Sequence, residues 1–417
     1  MYLRKIRIEN FRGIQQLELC DLKQGTNLLI GDNGAGKTSI LEAIAIGLNG
    51  FFSGVPGVSA NGFQKDDFRQ EVVRLTGASN AIAYNRPRIS MEMDVDGKIL
   101  ECVRKREDPS GNGTTSTTGS EVKKYLQNKA NDFQTFLPIL SYISISRVIS
   151  SKRADFGRKQ KNELNDRRCG YIGSLDGVPS KASIMEWLKK MSYEAHFQKS
   201  ELSEVILFQN TISKIMRSMN NLTEEPAVRY SATFSDIVYE EGTEELPISY
   251  LSAGYQSILW IAMDLAFRLA QLNPTMVDAS QATGIVVIDE IDMHLHPKWQ
   301  WNVVKALEET FPQVQFILAT HAPIVISSAK NAKLIHIGND HQVEYLSGAY
   351  AYSIDDVVEL RQGSYSIPKG LKKLKKDFEK HYYENQMEDA KTVYEKMRQE
   401  YGEENAEVKT AKRKLEF

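Results

Sequence analysis

Apolar and polar positions alternate from the start of the chain. Residues 2–8 (Tyr-Leu-Arg-Lys-Ile-Arg-Ile) predict a half-buried strand, ended by a turn at Asn10-Phe11-Arg12-Gly13. A second strand is expected over 17–22. Thr26-Asn27-Leu28-Leu29-Ile30 reads as a buried strand, and Ser39–Leu48 repeats apolar residues at helical spacing. Beyond a Gly-rich stretch at 50–62, residues 88–105 alternate around Asp96-Gly97, which predicts a β-hairpin. The Gly/Ser/Thr-rich stretch 108–120 reads as a loop, 121–136 as helix and Pro138–Ser146 as a buried strand.

Residues 180–222 predict one or two helices, with Ile184, Trp187, Leu188 and Met191 on one apolar face and Leu202, Val205 and Ile206 on another. Residues 227–239 alternate as a strand. An apolar helix follows, to about Leu272, and then a strand at Gly284–Asp289. His296-Pro297 opens a helix to Phe311, Val314–Ala319 is a strand, and 334–337 with 342–346 form a hairpin. From Ser353 the pattern is helical and polar. Residues 369–417 carry 13 Lys/Arg and 11 Asp/Glu with sparse apolar positions, which predicts a tail with solvated faces. Strands alternating with helices give an α/β fold. Four segments are expected: an N-terminal lobe (1–149), a mostly helical insertion (150–225), a second lobe (226–350) and a helical tail (351–417).

Composition narrows the class. The chain has 417 residues, 41% hydrophobic and 25% charged, which allows two to three domains. Lys+Arg total 52 against Asp+Glu 54, a net charge of -2, so the molecule is not basic throughout. One local exception is 147–168, with eight basic residues (Arg147, Lys152, Arg153, Arg158, Lys159, Lys161, Arg167, Arg168) opposed by Asp155, Glu163 and Asp166. It is a candidate contact for DNA or another nucleic acid, although a solvated loop explains it as well. Cys20, Cys102 and Cys169 are scattered and odd in number, without disulfide or zinc spacing, which predicts a reducing, cytoplasmic setting. No run of 18 apolar residues is present, so no membrane association is expected.

The chemistry centres on Gly31-Asp32-Asn33-Gly34-Ala35-Gly36-Lys37-Thr38, which fits G-x-x-x-x-G-K-[ST] between a strand and a helix. Such a loop closes backbone N–H groups on phosphate oxygens. Asn33, Gly34, Ala35, Gly36, Lys37, Thr38 and Ser39 are therefore the expected nucleotide-binding residues. Lys37 reaches the β- and γ-phosphates, and Thr38 ligates Mg²⁺. Arg12 is a further candidate phosphate contact. The apolar strand ending in Asp289-Glu290 supplies a second Mg²⁺ carboxylate (Asp289) and a general base for water (Glu290). His321, after the next strand, is placed to hydrogen-bond the γ-phosphate. Leu251-Ser252-Ala253-Gly254-Tyr255-Gln256 opens a helix and offers a second anion-binding end. Two copies head to tail would then sandwich two ATP molecules. His294, His296 and His321 leave a metal site as a weaker alternative.

As a set, these motifs resemble an ABC-type ATPase head of the SMC/RecF/OLD-like branch, over 1–60 and 248–340. The resemblance makes Gly31–Thr38 the Walker A, Ser252, Ala253, Gly254 and Gln256 the signature acting in trans, and Ile285–Glu290 the Walker B. It also makes Ile291–His296 the D-loop, with Asp292, and His321 the switch histidine. Ile8-Glu-Asn-Phe-Arg12 is similar to the N-F-R opening of RecF- and SMC-like heads, where the arginine helps contact phosphate. Val287-Ile-Asp-Glu-Ile-Asp-Met-His-Leu-His-Pro-Lys-Trp-Gln300 and Ala319-Thr-His-Ala-Pro323 resemble the PtuA-type ATPases of Septu and retron anti-phage systems. The resemblance implies ATP and Mg²⁺ as cofactors, a homodimer or higher even oligomer, and a small HNH-type nuclease partner.

Two departures stand out. Where the family has a Q-loop glutamine, this chain reads Ser144-Ile-Ser-Arg147. The interval from Lys37 to Ser252 leaves no room for a long coiled coil, and too few residues follow His321 for an appended Toprim nuclease. Three readings stay open: an ATPase subunit of a defence complex controlling a separate nuclease, a RecF-like repair ATPase acting directly on DNA, and a slowly hydrolysing nucleotide-gated scaffold.

Overall fold

The computed structural model describes all residues except 75–79, 111–112, 133, 145–165, 180, 199–201, 221–224, 363–366, 404 and 417. Residues Met1–Ala351 form one compact unit and Tyr352–Phe417 another. In chain order the first unit contains β1 (Tyr2–Phe11), β2 (Ile14–Leu19), β3 (Thr26–Ile30), α1 (Lys37–Phe52), β4 (Arg69–Arg74), β5 (Asn80–Asn85), β6 (Arg88–Val95), β7 (Lys98–Arg106), β8 (Thr115–Thr118), α2 (Ser120–Ala130) and β9 (Ile139–Ser144). There follow α3 (Lys181–Gln198), α4 (Ser203–Asn220), β10 (Ala227–Ser231), β11 (Asp236–Glu241), β12 (Glu244–Pro247), α5 (Ala253–Leu272), β13 (Gly284–Asp289), α6 (Pro297–Gln300), α7 (Val303–Thr310), β14 (Val314–Ala319), α8 (Pro323–Ser328), β15 (Lys333–Ile337) and β16 (Val343–Leu346).

The central sheet has the order β16-β15-β3-β14-β13-β9. All its pairings are parallel except that of β15 with β16. Strands β3, β9, β13 and β14 are buried at every position, as strands covered on both faces must be. A second, antiparallel sheet runs β2-β1-β6-β7-β8. Helix α1 packs between the two sheets, and one continuous core joins its Ile40, Leu41, Ile44 and Leu48 to Ile6, Ile8, Ile89 and Met91 on one side and Ile285 and Ile317 on the other. This clamps the first turn of α1 over the carboxyl ends of the central strands, where ligands bind in open α/β sheets.

Helix α5 covers the other face, with α3 and α4 against it. Trp187 meets Phe208 and Phe267 at ring separations of 5.2 and 5.5 Å. Inside α5 lies a buried ion pair, Arg268 Nε to Asp264 Oδ2 at 2.8 Å, both side chains 3% exposed or less. Arg268 also donates to the carbonyls of Gly170, Ile172 and Gly173, and Ser141 on β9 donates to Asp264. Breaking such a pair leaves an uncompensated buried charge. Asp264→Ala is therefore expected to destabilise the fold by about 3 kcal/mol, read as a lower urea midpoint at unchanged slope.

Several expectations need correction. The 108–120 stretch is not loop throughout: Thr115–Thr118 pairs with Val103–Arg106 as edge strand β8. Residues 227–239 are not one strand but β10 and the start of β11, antiparallel and joined by a turn, with β12 as a third member. The second strand ends at Leu19, not Leu22. The ribbon β4–β5 was not foreseen.

The second unit contains α9 (Ile354–Leu360), α10 (Lys369–Tyr383), α11 (Met387–Tyr401) and α12 (Ala406–Glu416). The tail is helical with solvated faces, and it also has a core that its sparse apolar positions did not announce. Leu371, Leu374, Phe378, Ala390, Tyr394, Met397, Val408 and Ala411 form a core of their own. Their spacing of three and four residues places them on the inner faces of three helices.

Candidate active site

Three loops meet at the carboxyl ends of adjacent strands. The P-loop leaves β3, Asp289-Glu290 ends β13, and Thr320-His321 leaves β14, which lies between them. Together they line a cavity of about 310 Å³ formed by Asn33, Gly34, Gly36, Lys37, Thr38, Ser39, Asp289, Glu290, Ala319 and His321. Ala35 is fully buried beneath the loop. Gly36 caps α1 at φ 91°, a left-handed conformation that only glycine takes freely. That turn aims the first N–H groups of α1 at the cavity, and the helix dipole favours anions there.

Lys37 is 6% exposed, and its Nζ donates to the carbonyls of Gly31 and Asp32, at 2.9 Å each. Burial pushes its pKa down, and Asp289 and Asp32 oppose that shift. An incoming phosphate offers the ammonium a stronger partner than neutral carbonyls. Thr38 Oγ1 donates to Asp289 Oδ2 at 2.8 Å. Adjacent ligands of octahedral Mg²⁺ lie about 2.9 Å apart, given metal–oxygen bonds of about 2.05 Å. The Thr38–Asp289 oxygen pair fits such an ion, which would supply charge neutralisation on the phosphates.

Glu290 has the unusual φ of 55°, and its Oε2 is buried without a hydrogen-bond partner among the described residues. A strained backbone holding an unsatisfied carboxylate oxygen against a cavity points to function rather than stability. A water molecule oriented by that oxygen would satisfy it. His321 has a pKa lowered by burial and then by the nearby Lys37 charge, which keeps the ring neutral and able to donate or accept. Asp292 Oδ1 accepts from Thr320 Oγ1 at 2.6 Å and from the His321 backbone N–H at 3.3 Å. This contact ties the segment after Glu290 to the histidine loop, a link that only the fold reveals.

The remaining candidates lie elsewhere. Arg12 is not among the residues lining the cavity. Its guanidinium pairs with Asp67 at 2.9 Å and with Glu42 on α1, and stacks on Phe11. Ser252, Ala253, Gly254 and Gln256 open α5 and are also outside the cavity. Ser252 and Ala253 are exposed, and Ser252 caps the helix by accepting from the Tyr255 N–H. Gly254 is buried so closely that a Cβ would lie 2.7 Å from the His294 carbonyl oxygen. Gln256 Nε2 donates to the Leu251 carbonyl at 2.8 Å. Among the described residues no three His, Cys, Asp or Glu side chains form a metal cluster, so the histidine site is not supported. His296 instead caps α6.

The basic stretch falls mostly outside the described residues, as does the Q-loop position after Ser144. Two of its members are described, and both are engaged. Arg167 is buried and donates to the carbonyls of Leu272, Asp132 and Thr135 and to Asn273 Oδ1. Arg168 pairs with Asp166. Arg167 is thus a structural cross-link, which corrects its assignment to a nucleic-acid surface.

Comparison with known proteins agrees with this geometry. A family model described as AAA domain matches residues 5–225. Another, described as AAA domain, putative AbiEii toxin, Type IV TA system, matches residues 128–327. The chain is 24% identical over 392 residues to the Retron Vc95 probable ATPase of Vibrio cholerae serotype O1 biovar El Tor, covering 83% of this chain and 75% of that protein. It is 23% identical over 349 residues to the Septu protein PtuA of Bacillus thuringiensis, covering 82% and 78%. Among solved structures, an Smc head bound to the C-winged helix domain of ScpA superposes with a TM-score of 0.50 at 16% identity, covering 83% of this chain and 98% of that one. Among the described residues no helix is long and apolar enough to cross a membrane. With Lys37, Thr38, Asp289, Glu290 and His321 converging at the ends of a sheet whose fold is that of an Smc head, the chain belongs to the AAA-domain family of ATPases and is similar to the retron and Septu PtuA proteins.

Proposed function

We propose that this chain is the ATP-binding and hydrolysing subunit of a bacterial anti-phage defence complex in the cytoplasm. ATP closes a head-to-tail homodimer, or a higher even oligomer, and the nucleotide state controls a separate nuclease of small HNH type. One observation carries the reading: a single chain assembles Lys37, Thr38, Asp289, Glu290 and His321 around one cavity, yet leaves the Ser252–Gln256 helix start outside it, with Ser252 and Ala253 exposed. A γ-phosphate held by the first set still has room for a second anion-binding end, which a second copy supplies. The similarity to retron and Septu ATPases supports the defence setting.

In this reading Asn33–Ser39 cradle the phosphates and Thr38 with Asp289 hold Mg²⁺. Glu290 takes a proton from the attacking water, while His321 reports the γ-phosphate to the D-loop through Asp292. Arg12 reaches phosphate only on exchanging its carboxylate partners. The segments 1–149 and 226–350 form the ATPase head, and the insertion 150–225 and tail 351–417 are the docking surfaces.

Sedimentation velocity with Mg-ATP, with ADP and without nucleotide tests the reading. A species twice the 47.2 kDa chain mass is expected with ATP alone. Ser252→Arg is expected to abolish that species while each monomer still binds ATP. A mass unaffected by nucleotide, or a dimer indifferent to Ser252→Arg, overturns the assembly. A tagged chain recovered from its host without a stoichiometric nuclease overturns the effector assignment.

A further inference from the structure

The unit Tyr352–Phe417 carries a second feature that the ATPase reading does not use. On α10, Leu371, Leu374 and Phe378 face its core. Lys369, Lys373, Lys376, Lys380 and Tyr383 are exposed on the opposite side. At 100° per residue these five fall in one stripe about 80° wide, with lysines about 4.5–6 Å apart along the axis. The lysines flanking the stripe behave differently. Lys372 pairs with Glu359 at 3.0 Å and Lys375 with Glu407 at 2.9 Å. Lys373, Lys376 and Lys380 have no carboxylate partner among the described residues. The fold thus neutralises Lys372 and Lys375 on the flanks and leaves Lys373, Lys376 and Lys380 facing outward.

The row ends on an aromatic surface. Tyr383 is 72% exposed and stands edge-on to Tyr382 at 5.5 Å. Lys414 lies over the Tyr383 ring at 5.4 Å and pairs with Glu379. We propose that the Lys373–Lys380 face of α10, with Tyr383 at its end, binds single-stranded nucleic acid, the lysines on successive phosphates and the tyrosine stacked on a base. Regularly spaced point charges suit a repeating anion, and an exposed ring suits any base, so recognition is sequence-tolerant. A lipid surface fits less well, because the apolar face of α10 is already buried in its own bundle. An acidic protein partner fits less well because the exposed ring, Tyr383, sits at the end of the row and not at its centre, where protein interfaces place their anchors.

Fluorescence anisotropy of the full chain with labelled single-stranded DNA and RNA, across a salt series, tests this. Wild type is expected to bind with strong salt dependence. Lys373→Gln/Lys376→Gln/Lys380→Gln together should weaken binding about tenfold or more and lower the salt slope by about 2, since three phosphate contacts at ~0.7 each are removed. The triple Lys→Arg variant should keep both. Tyr383→Ala should weaken binding about fivefold or more on every sequence. Basal ATP hydrolysis and the melting temperature should not change in these variants. The proposal is overturned if wild type binds neither oligonucleotide, or if the glutamine variant binds as wild type. It is also overturned if binding is lost only on neutralising Arg153, Arg158 and Lys159, or if the face captures phosphatidylglycerol vesicles and no oligonucleotide.

Discussion

Glu290→Gln is expected to lower ATP turnover by about 10²–10⁴-fold, the range of a lost general base, while ATP binding stays within a factor of two. Glutamine keeps the volume and the buried position of the side chain. It removes the charge and the ability to take a proton from water. The wild-type Oε2 has no hydrogen-bond partner among the described residues, so the substitution breaks no existing contact of that atom. The backbone at φ 55° is unaffected by an isosteric change. Binding and chemistry should therefore separate. In single-turnover measurements the chemical step slows, and sedimentation shows an ATP-bound dimer that persists instead of decaying. A fall in turnover of less than tenfold would remove Glu290 from the chemistry and leave its burial unexplained.

Lys37→Ala is expected to act one step earlier. Lys37 lines the cavity, and its Nζ is bonded to the Gly31 and Asp32 carbonyls. Burial already lowers its pKa, so the protein bears the cost of a desolvated ammonium before nucleotide arrives. Phosphate oxygens recover that cost through charge-assisted hydrogen bonds, each contributing about 1.5–3 kcal/mol. Losing one or two of them weakens ATP binding by about tenfold or more. No ATP-dependent dimer should form, and the double variant with Glu290→Gln should trap nothing. Calorimetric titration of ATP gives the readout. Affinity within threefold of wild type would reassign Lys37 to holding the loop, and a lowered melting temperature with normal affinity would say the same.

Much of this site is legible along the chain because its parts are local. A P-loop is a strand, a turn that needs glycine at Gly36 and a helix, all within 26–52. The strand Gly284–Asp289 announces itself by the buried apolar run Ile285-Val286-Val287-Ile288, which ends in carboxylates. The signature is legible for the same reason, since Ser252 caps the helix that follows it. The less legible elements lack such a pattern. Strand β8 is all Thr and Ser on a sheet edge, and β4–β5 exposes Val72 and Ile82, so neither shows a buried face. The tail core is spread over three helices at intervals of three and four, which reads as sparse apolar content until the helices pack together.

Residue order alone therefore determined which groups are on offer: a glycine-rich loop with Lys37 and Thr38, the strand-end carboxylates Asp289 and Glu290, His321 after the next strand, and the helix start at Ser252. Tertiary structure decided which of these share a cavity. The sheet order places β14 between β3 and β13, which brings residues some 250 positions apart within hydrogen-bonding distance, as Thr38 and Asp289 show at 2.8 Å. It left the Ser252–Gln256 helix start outside, gave Arg12 to two carboxylates and buried Arg167 against carbonyls from two segments. It also neutralised Lys372 and Lys375 while leaving Lys373 and Lys376 exposed. The physical reason is common to all these cases. Periodicity reports which face of a segment is buried, whereas the partner that satisfies a buried charge or polar group comes from a distant part of the chain, and only the fold selects it.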